Sequence, residues 1–240
     1  MDLLKNKTII ITGASTGIGL EMVKLFVNEG AFVIACSRRG ESISHDRVLN
    51  VHLDVSNYEQ CQTIFNQLIK DFPKIDGLVC NAGITKDSMT YKMDWDCFNT
   101  VLQTNLFGIF NVVKFVGPQM EKQGFGSIVN ISSVVGEYGN IGQCNYAASK
   151  SGIIGMSKSW AKEFARKGSQ VRVNVICPGY IMTDMLKTVP EDLLTKFISL
   201  TMLKRLGNPI DVANTALFLL SELSSYITGT VIDVNGGMRL

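Results

Sequence analysis

The fold of this chain is announced by Thr8-Ile9-Ile10-Ile11-Thr12-Gly13-Ala14-Ser15-Thr16-Gly17-Ile18-Gly19. Thr8–Thr12 is an apolar β-branched run that predicts a strand, and a helical pattern over Ile18–Asn28 begins at the glycines. A glycine-rich strand-to-helix turn aims backbone N–H groups out of the positive end of the helix, which suits a pyrophosphate. Its glycines let the backbone approach phosphates and let the helix pack closely on the strand. The spacing is G-x-x-x-G-x-G, not the G-x-G-x-x-G of other dinucleotide folds.

Outward from that turn, the same alternation repeats along the chain. Apolar runs over Ala31–Cys36, Val48–Leu53, Gly77–Cys80, Ser127–Ile131, Val171–Ile176 and Thr230–Val234 predict six more strands. Each reads as buried, because apolar residues continue through it. Helical patterns lie between them: Asn57–Asp71 with Ser56 as its cap, Asp94–Glu121, Asn145–Lys167, and Pro209–Ser221 with proline in its first turn. Strand–helix–strand repetition makes the class α/β, a doubly wound, parallel, seven-stranded sheet of Rossmann type. No linker, repeat or charge run interrupts it, so residues 1–240 read as a single domain. The irregular stretch Tyr180–Leu206, with Pro190, reads as a lid or a pair of short helices over the cleft.

Composition narrows the function. Hydrophobic residues make up 46% of the 240 and charged residues 18%, which excludes a disordered chain. The 23 Lys+Arg nearly cancel the 21 Asp+Glu, leaving no electrostatic reason for a nucleic acid or anionic membrane partner. No apolar run reaches the roughly 18 residues of a membrane span, and Met1–Lys7 lacks the apolar core of a signal peptide. The six cysteines form no C-x-x-C, and His45 and His52 complete no zinc pattern. A reduced, cytoplasmic protein without a metal is the expectation.

The second strand runs out at Ala35-Cys36-Ser37-Arg38-Arg39, with no acid before Glu41. An NAD site ends this strand with a carboxylate for the ribose 2′-hydroxyl. Two guanidiniums behind a small hydroxyl suit a 2′-phosphate instead, so the expected cofactor is NADP(H). Further along, Ser132-Ser133 closes the fifth strand and Tyr146-x-x-x-Lys150 opens a long helix. Residues four apart share a helix face, which lets the phenol and the ammonium point into one space. A nearby cation is expected to lower the phenol pKa from its usual value of about 10, making Tyr146 an acid–base group.

Together these motifs resemble the short-chain dehydrogenase/reductase family over essentially the whole chain. Thr12–Gly19 resembles its T-G-x-x-x-G-x-G loop, with Gly13, Ser15, Thr16, Ile18 and Gly19 implied as cofactor contacts beside Ser37, Arg38 and Arg39. Asp54-Val55 resembles the pair at the adenine, and Asn81-Ala82-Gly83 the N-A-G after the fourth strand. Pro178-Gly179 with Ile181 and Thr183 resembles the segment flanking the nicotinamide. Asn105, Ser133, Tyr146 and Lys150 match the catalytic tetrad. The resemblance implies that Ser133 positions a carbonyl, Tyr146 donates a proton while NADPH delivers hydride, Lys150 holds the nicotinamide ribose and tunes Tyr146, and Asn105 anchors a water that relays protons to Lys150.

Within that family, Ser133-Val134-Val135-Gly136, Gly139-Asn140 and Gly142-Gln143 before Asn145-Tyr146 are most similar to the branch that reduces 3-oxoacyl groups on acyl carrier protein. So are Arg205–Pro209, Ser225–Gly229 and Asn235–Met238. An acidic carrier needs basic residues near the cleft. Lys167 and Lys122 fill such positions, while Gly124 stands where that branch commonly has Arg, and Thr16 replaces a basic loop residue. A reductase of a free ketone or secondary alcohol shares the tetrad and remains an alternative, as does a non-catalytic nucleotide-sensing protein. The family also implies a homotetramer built on the two long helices.

Overall fold

A computed structural model of the chain describes residues 2–183 and 191–238. Among them, β1 (Thr8–Thr12), β2 (Phe32–Ser37), β3 (Val48–His52), β4 (Gly77–Cys80), β5 (Phe125–Ile131), β6 (Gln170–Pro178) and β7 (Val231–Val234) form one parallel sheet, in the order 3-2-1-4-5-6-7. Side chains on a strand alternate between faces. Ile10 joins a core with Phe65, Val112, Met120 and Ile153 of α2 (Tyr58–Asp71), α4 (Gly108–Gln123) and α6 (Cys144–Ala165). Its neighbours Ile9 and Ile11 join the opposite core with Met22 and Phe26 of α1 (Gly17–Asn28) and with Ala216 and Leu219 of α8 (Pro209–Leu220). The unbroken apolar runs are thereby explained: both faces of the central strands are covered.

The two outermost strands are the exception. β3 and β7 were expected to be buried, yet both are largely part-exposed, because each pairs with one neighbour only. Local details differ as well. Asn57, not Ser56, caps α2, its side chain accepting from the Gln60 N–H at 2.9 Å; the Ser56 hydroxyl turns back to Asp54 Oδ1 at 2.7 Å. The pattern over Asp94–Glu121 is two helices, α3 (Trp95–Leu102) and α4, joined by a wider π turn at Gln103–Phe107. A short helix, α5 (Val134–Tyr138), was not expected. Part of the stretch expected to form a lid, residues 184–190, lies outside the described residues; beyond it α7 spans Glu191–Ser199.

The chain winds outward through β1, β2 and β3, then crosses back to β4 on the other side of β1. Registers such as Thr12 with both Cys36 and Cys80 bring the carboxyl ends of the central strands level. A crevice opens where the winding reverses, and this is where doubly wound sheets bind ligands.

Candidate active site

The loops that follow β1 and β4 are clipped together over the crevice. Asn81 Nδ2 donates to the carbonyls of Thr12 at 3.2 Å and Gly13 at 3.1 Å. The Asn81 and Ala82 amides donate to Thr12 Oγ1 at 3.1 and 3.2 Å. Gly13 takes a φ of +67°, and a Cβ there would stand 2.8 Å from the Ala82 backbone. The two loops wall a cleft of about 520 Å³.

Most of the sequence-expected cofactor residues line it. Gly13, Ser15, Thr16 and Ile18 form one wall and Asn81, Ala82 and Gly83 another. Ser37, Arg38 and Arg39 close one end with Asp54 and Val55, both guanidiniums exposed, and Thr183 reaches the loop from β6. Gly19 does not line the cleft; it lies beneath the loop, against the Gly13 carbonyl and Asn81 Nδ2. Pro178 ends β6, and the Gly179 amide donates to the Val234 carbonyl at 3.1 Å. Ile181 is buried and borders a separate cavity of about 320 Å³ beside Tyr180. Leu53, Ile84 and Thr104 line the cleft without having been expected. Ile84 directly follows Asn81-Ala82-Gly83, so the motif's next residue was its signal; Leu53 and Thr104 carried none.

Past Gly83 the cleft meets the polar groups. A Cβ on Gly83 would sit 3.3 Å from Asn105 Oδ1 and 3.5 Å from Lys150 Nζ, so the missing side chain leaves room beside both. Asn105 is fully buried in the π turn, a distortion that recurs at functional positions. Its Oδ1 accepts from the Ile84 N–H at 2.8 Å, and its Nδ2 donates to the Ile84 carbonyl at 2.9 Å and to Ser149 Oγ at 3.2 Å. Ser133 caps α5, its Oγ accepting from the Val135 N–H at 3.2 Å. Lys150 is 3% exposed and donates from Nζ to the Ile131 carbonyl at 2.8 Å, with the Tyr146 ring 5.5 Å away. Ser132 Oγ donates to the Lys150 carbonyl at 2.8 Å, pinning α6 to the end of β5.

The electrostatics correct one expectation. Lys150 was expected to pull the phenol down; instead burial pushes Tyr146 up to about 12. A hydrogen bond with Ser133 opposes that rise, and the Asp87 carboxylate adds to it. Burial also drives Lys150 down to about 8. Desolvation disfavours whichever form is charged, and it is the largest cause for both groups. Tyr146 is therefore a neutral phenol at neutral pH.

Because Lys150 in the folded chain titrates below the lysine value of 10.5, the unfolded chain holds that proton more tightly. Wild-type stability should rise as pH climbs from about 8 towards 10.5. Lys150→Met removes this dependence, so its melting temperature, measured at pH 7 and pH 10, should move in the wild type's favour at the higher pH. A constant difference would contradict the depressed value.

Among the described residues, donor atoms of Glu137, Cys177 and Asp233 lie within 4.8 Å of one another. Burial pushes the Cys177 thiol up to about 12, and burial followed by the facing Asp233 pushes Glu137 up as well.

Residues 13–239 match a family model described as enoyl-(acyl carrier protein) reductase. The chain belongs to the short-chain dehydrogenase/reductase family. It is 44% identical to 3-oxoacyl-[acyl-carrier-protein] reductase FabG of Thermotoga maritima, the alignment covering 98% of each chain. Proteins of the same name from Chlamydia trachomatis and Haemophilus influenzae are 42% and 40% identical, over 98% and 99% of this chain and 98% and 100% of theirs. Like other short-chain dehydrogenases/reductases, this chain is an oxidoreductase that uses a nicotinamide dinucleotide.

Proposed function

We propose that this chain is an NADPH-dependent 3-oxoacyl-[acyl-carrier-protein] reductase of fatty acid synthesis. The observation that carries the reading is the meeting of Ser133, Tyr146 and Lys150 at the inner end of a cleft shaped for a dinucleotide. The cleft fits that group: side-chain-free walls at Gly13 and Gly83, and two exposed guanidiniums at the end where a 2′-phosphate would lie. When bound, the reduced nicotinamide supplies a hydride to the ketone carbon. The proton comes from this chain: Tyr146, held protonated by burial, gives its hydroxyl proton to the ketone oxygen, and a secondary alcohol results. Ser133 offers a second hydrogen bond to the same oxygen. Buried Lys150 places a positive charge beside the phenolate left behind, the kind of preorganised charge that lowers such a barrier. A ketone uses both hydroxyl donors on one oxygen, which favours carbonyl reduction over the enoyl reduction named by the family model.

Lys122 and Lys167, expected near the cleft for an acidic carrier, instead line an open groove of about 480 Å³ with Gly124, Pro118 and Glu121 at the amino ends of β5 and β6, the opposite edge of the sheet from the cleft of the same chain, and Lys167 Nζ lies 3.7 Å from Glu121. Assays with 3-oxoacyl-carrier and free 3-oxoacyl substrates against cyclic ketones, sterols and sugars test the reading. Turnover confined to free ketones would favour the free-carbonyl alternative, and dinucleotide binding without any turnover the non-catalytic one.

Replacing both Arg38 and Arg39 by Ala should lower kcat/KM for NADPH by roughly ten- to a hundredfold, the scale of lost charge-assisted bonds, and leave NADH nearly unchanged. A wild type that prefers NADH would overturn the assignment.

A homotetramer in the cytoplasm completes the proposal. Phe107 and Phe110, at the start of α4, are 44% and 43% exposed, apolar surface that a second copy could cover. Among the described residues no helix is long and apolar enough to cross a membrane. Light scattering that gave a monomer at micromolar concentration would refute the tetramer.

A further inference from the structure

A run of hydrogen bonds crosses the mouth of the site without entering the reaction. Gln143 Nε2 donates to Asp87 Oδ2 at 2.8 Å. Asn140 Nδ2 donates to Gln143 Oε1 at 2.9 Å and reaches the Tyr180 hydroxyl at 3.4 Å. Tyr180 in turn stacks on Phe197 of α7, ring centroids 3.9 Å apart and planes 14° from parallel. The run joins the loop after β4, the loop between α5 and α6, the loop after β6, and α7. A backbone bond from the Ser88 N–H to the Gly142 carbonyl at 2.8 Å reinforces its first step. Tyr146 and Tyr180 belong to one apolar cluster with Val134, Val135 and Met238, so the run ends beside the proton donor.

The direction of this run follows from one group. An ionised carboxylate only accepts, whereas an amide side chain can present either end. Asp87 therefore obliges Gln143 to turn its NH₂ towards it and its carbonyl towards Asn140. Asn140 must then turn its NH₂ towards Gln143 and Tyr180, which leaves its Oδ1 to accept from the Ile141 N–H at 2.9 Å. We propose that Asp87 is a positioning residue for the reaction, its carboxylate setting the orientation of Gln143 and Asn140 and, through them, of the Tyr180 wall beside Tyr146.

Its charge adds a second, separable effect. The groups facing Tyr146 are the opposing Ser133 hydroxyl, the Asp87 carboxylate and the neutral Cys177 thiol, with Lys150 over the ring, and burial acts with them; those on Tyr180 are burial, Asn140 and Asp87. Asp87 raises the proton affinity of both phenols.

The proposal rests on the reductase reading for its kinetic arm only. Asp87→Asn keeps the size and removes both the charge and the acceptor-only character; Gln143→Leu breaks the run and leaves the charge. Both variants should raise KM for a 3-oxoacyl substrate by about two- to tenfold, the worth of one hydrogen bond, with kcat and NADPH affinity near wild type. An arm without substrate follows tyrosinate absorbance against pH, with the Tyr146→Phe trace subtracted; Asp87→Asn should titrate at lower pH than wild type. An unchanged KM in both variants overturns the proposal, and an unchanged tyrosinate titration in Asp87→Asn overturns its charge effect alone. A wild type inert towards every 3-oxoacyl substrate overturns the functional reading instead, and a crystal structure of Asp87→Asn then decides on Asp87: Asn140 and Tyr180 displaced support the positioning role, and both unmoved overturn it.

Discussion

Tyr146→Phe is expected to bind NADPH as the wild type does and to turn over a 3-oxoacyl substrate ~10²–10⁴-fold more slowly, the range for a lost general acid. The substitution removes one oxygen and keeps the ring. That ring packs with Ala147, Val134, Val135, Met238 and Tyr180, and it lies under the Lys150 ammonium, so the fold and the cation's surroundings survive. What disappears is the proton. Ser133 still offers a hydrogen bond, but its Oγ already accepts from the Val135 N–H, and a serine hydroxyl is far too weak an acid to replace a phenol at neutral pH. Because the loss falls on an interaction completed only in the transition state, kcat and kcat/KM should drop together. Steady-state NADPH oxidation and a fluorescence titration of the cofactor measure the two halves. Wild-type-like turnover would remove Tyr146 from the proposed mechanism.

The second large effect belongs to the loop. A methyl group on Gly19 would fall on the Gly13 carbonyl oxygen, 2.9 Å from its carbon and 2.6 Å from Asn81 Nδ2. The first two are backbone atoms, with no rotamer to swing aside. The third belongs to the side chain that ties Thr12 and Gly13 to the β4 loop. Gly19→Ala must therefore push α1 away from the turn or break the clip, and either one opens the wall facing the phosphates. Overpacking of this kind costs about 1–3 kcal/mol, so dinucleotide affinity should weaken roughly ten- to a hundredfold with a lowered melting temperature. Gly155→Ala, where a Cβ meets nothing within 4 Å, is the control and should change neither. Equal affinity in both variants would show that the turn tolerates a side chain.

The contrast between those two glycines marks what could be read in advance. Periodicity placed β1 and β4 at their observed bounds and set the other strands within a few residues, because a strand buried on both faces writes its core directly into consecutive positions. Edge exposure at β3 and β7 stayed hidden, since strand order across the sheet is not a local property. The π turn at Asn105 was equally invisible: Gln103–Phe107 reads as ordinary helix, and the Asn105 side chain within it is bonded to Ile84 and Ser149, 21 and 44 residues away.

For the site, short motifs named Ser133, Tyr146 and Lys150, and the ending Ser37-Arg38-Arg39 argued for a phosphate. Spacing along one helix face is a local fact, and it survives folding unchanged. The proton affinities did not follow from spacing. Tyr146 next to Lys150 predicts an acidified phenol; the fold reverses that by burying both, and burial is the sum of everything packed around a group. The Asp87-to-Tyr180 run was out of reach for the same reason, since its members lie 56, 3 and 40 residues apart in successive steps. By itself, then, the sequence determined the class of fold, and it named the glycine-rich loop and the side chains proposed to react, all of which rest on patterns among near neighbours in the chain. Only the tertiary structure decided the protonation of Tyr146 and Lys150, the space left at Gly83 and the wall around the substrate, because each of these is set by groups that the chain brings together from a distance.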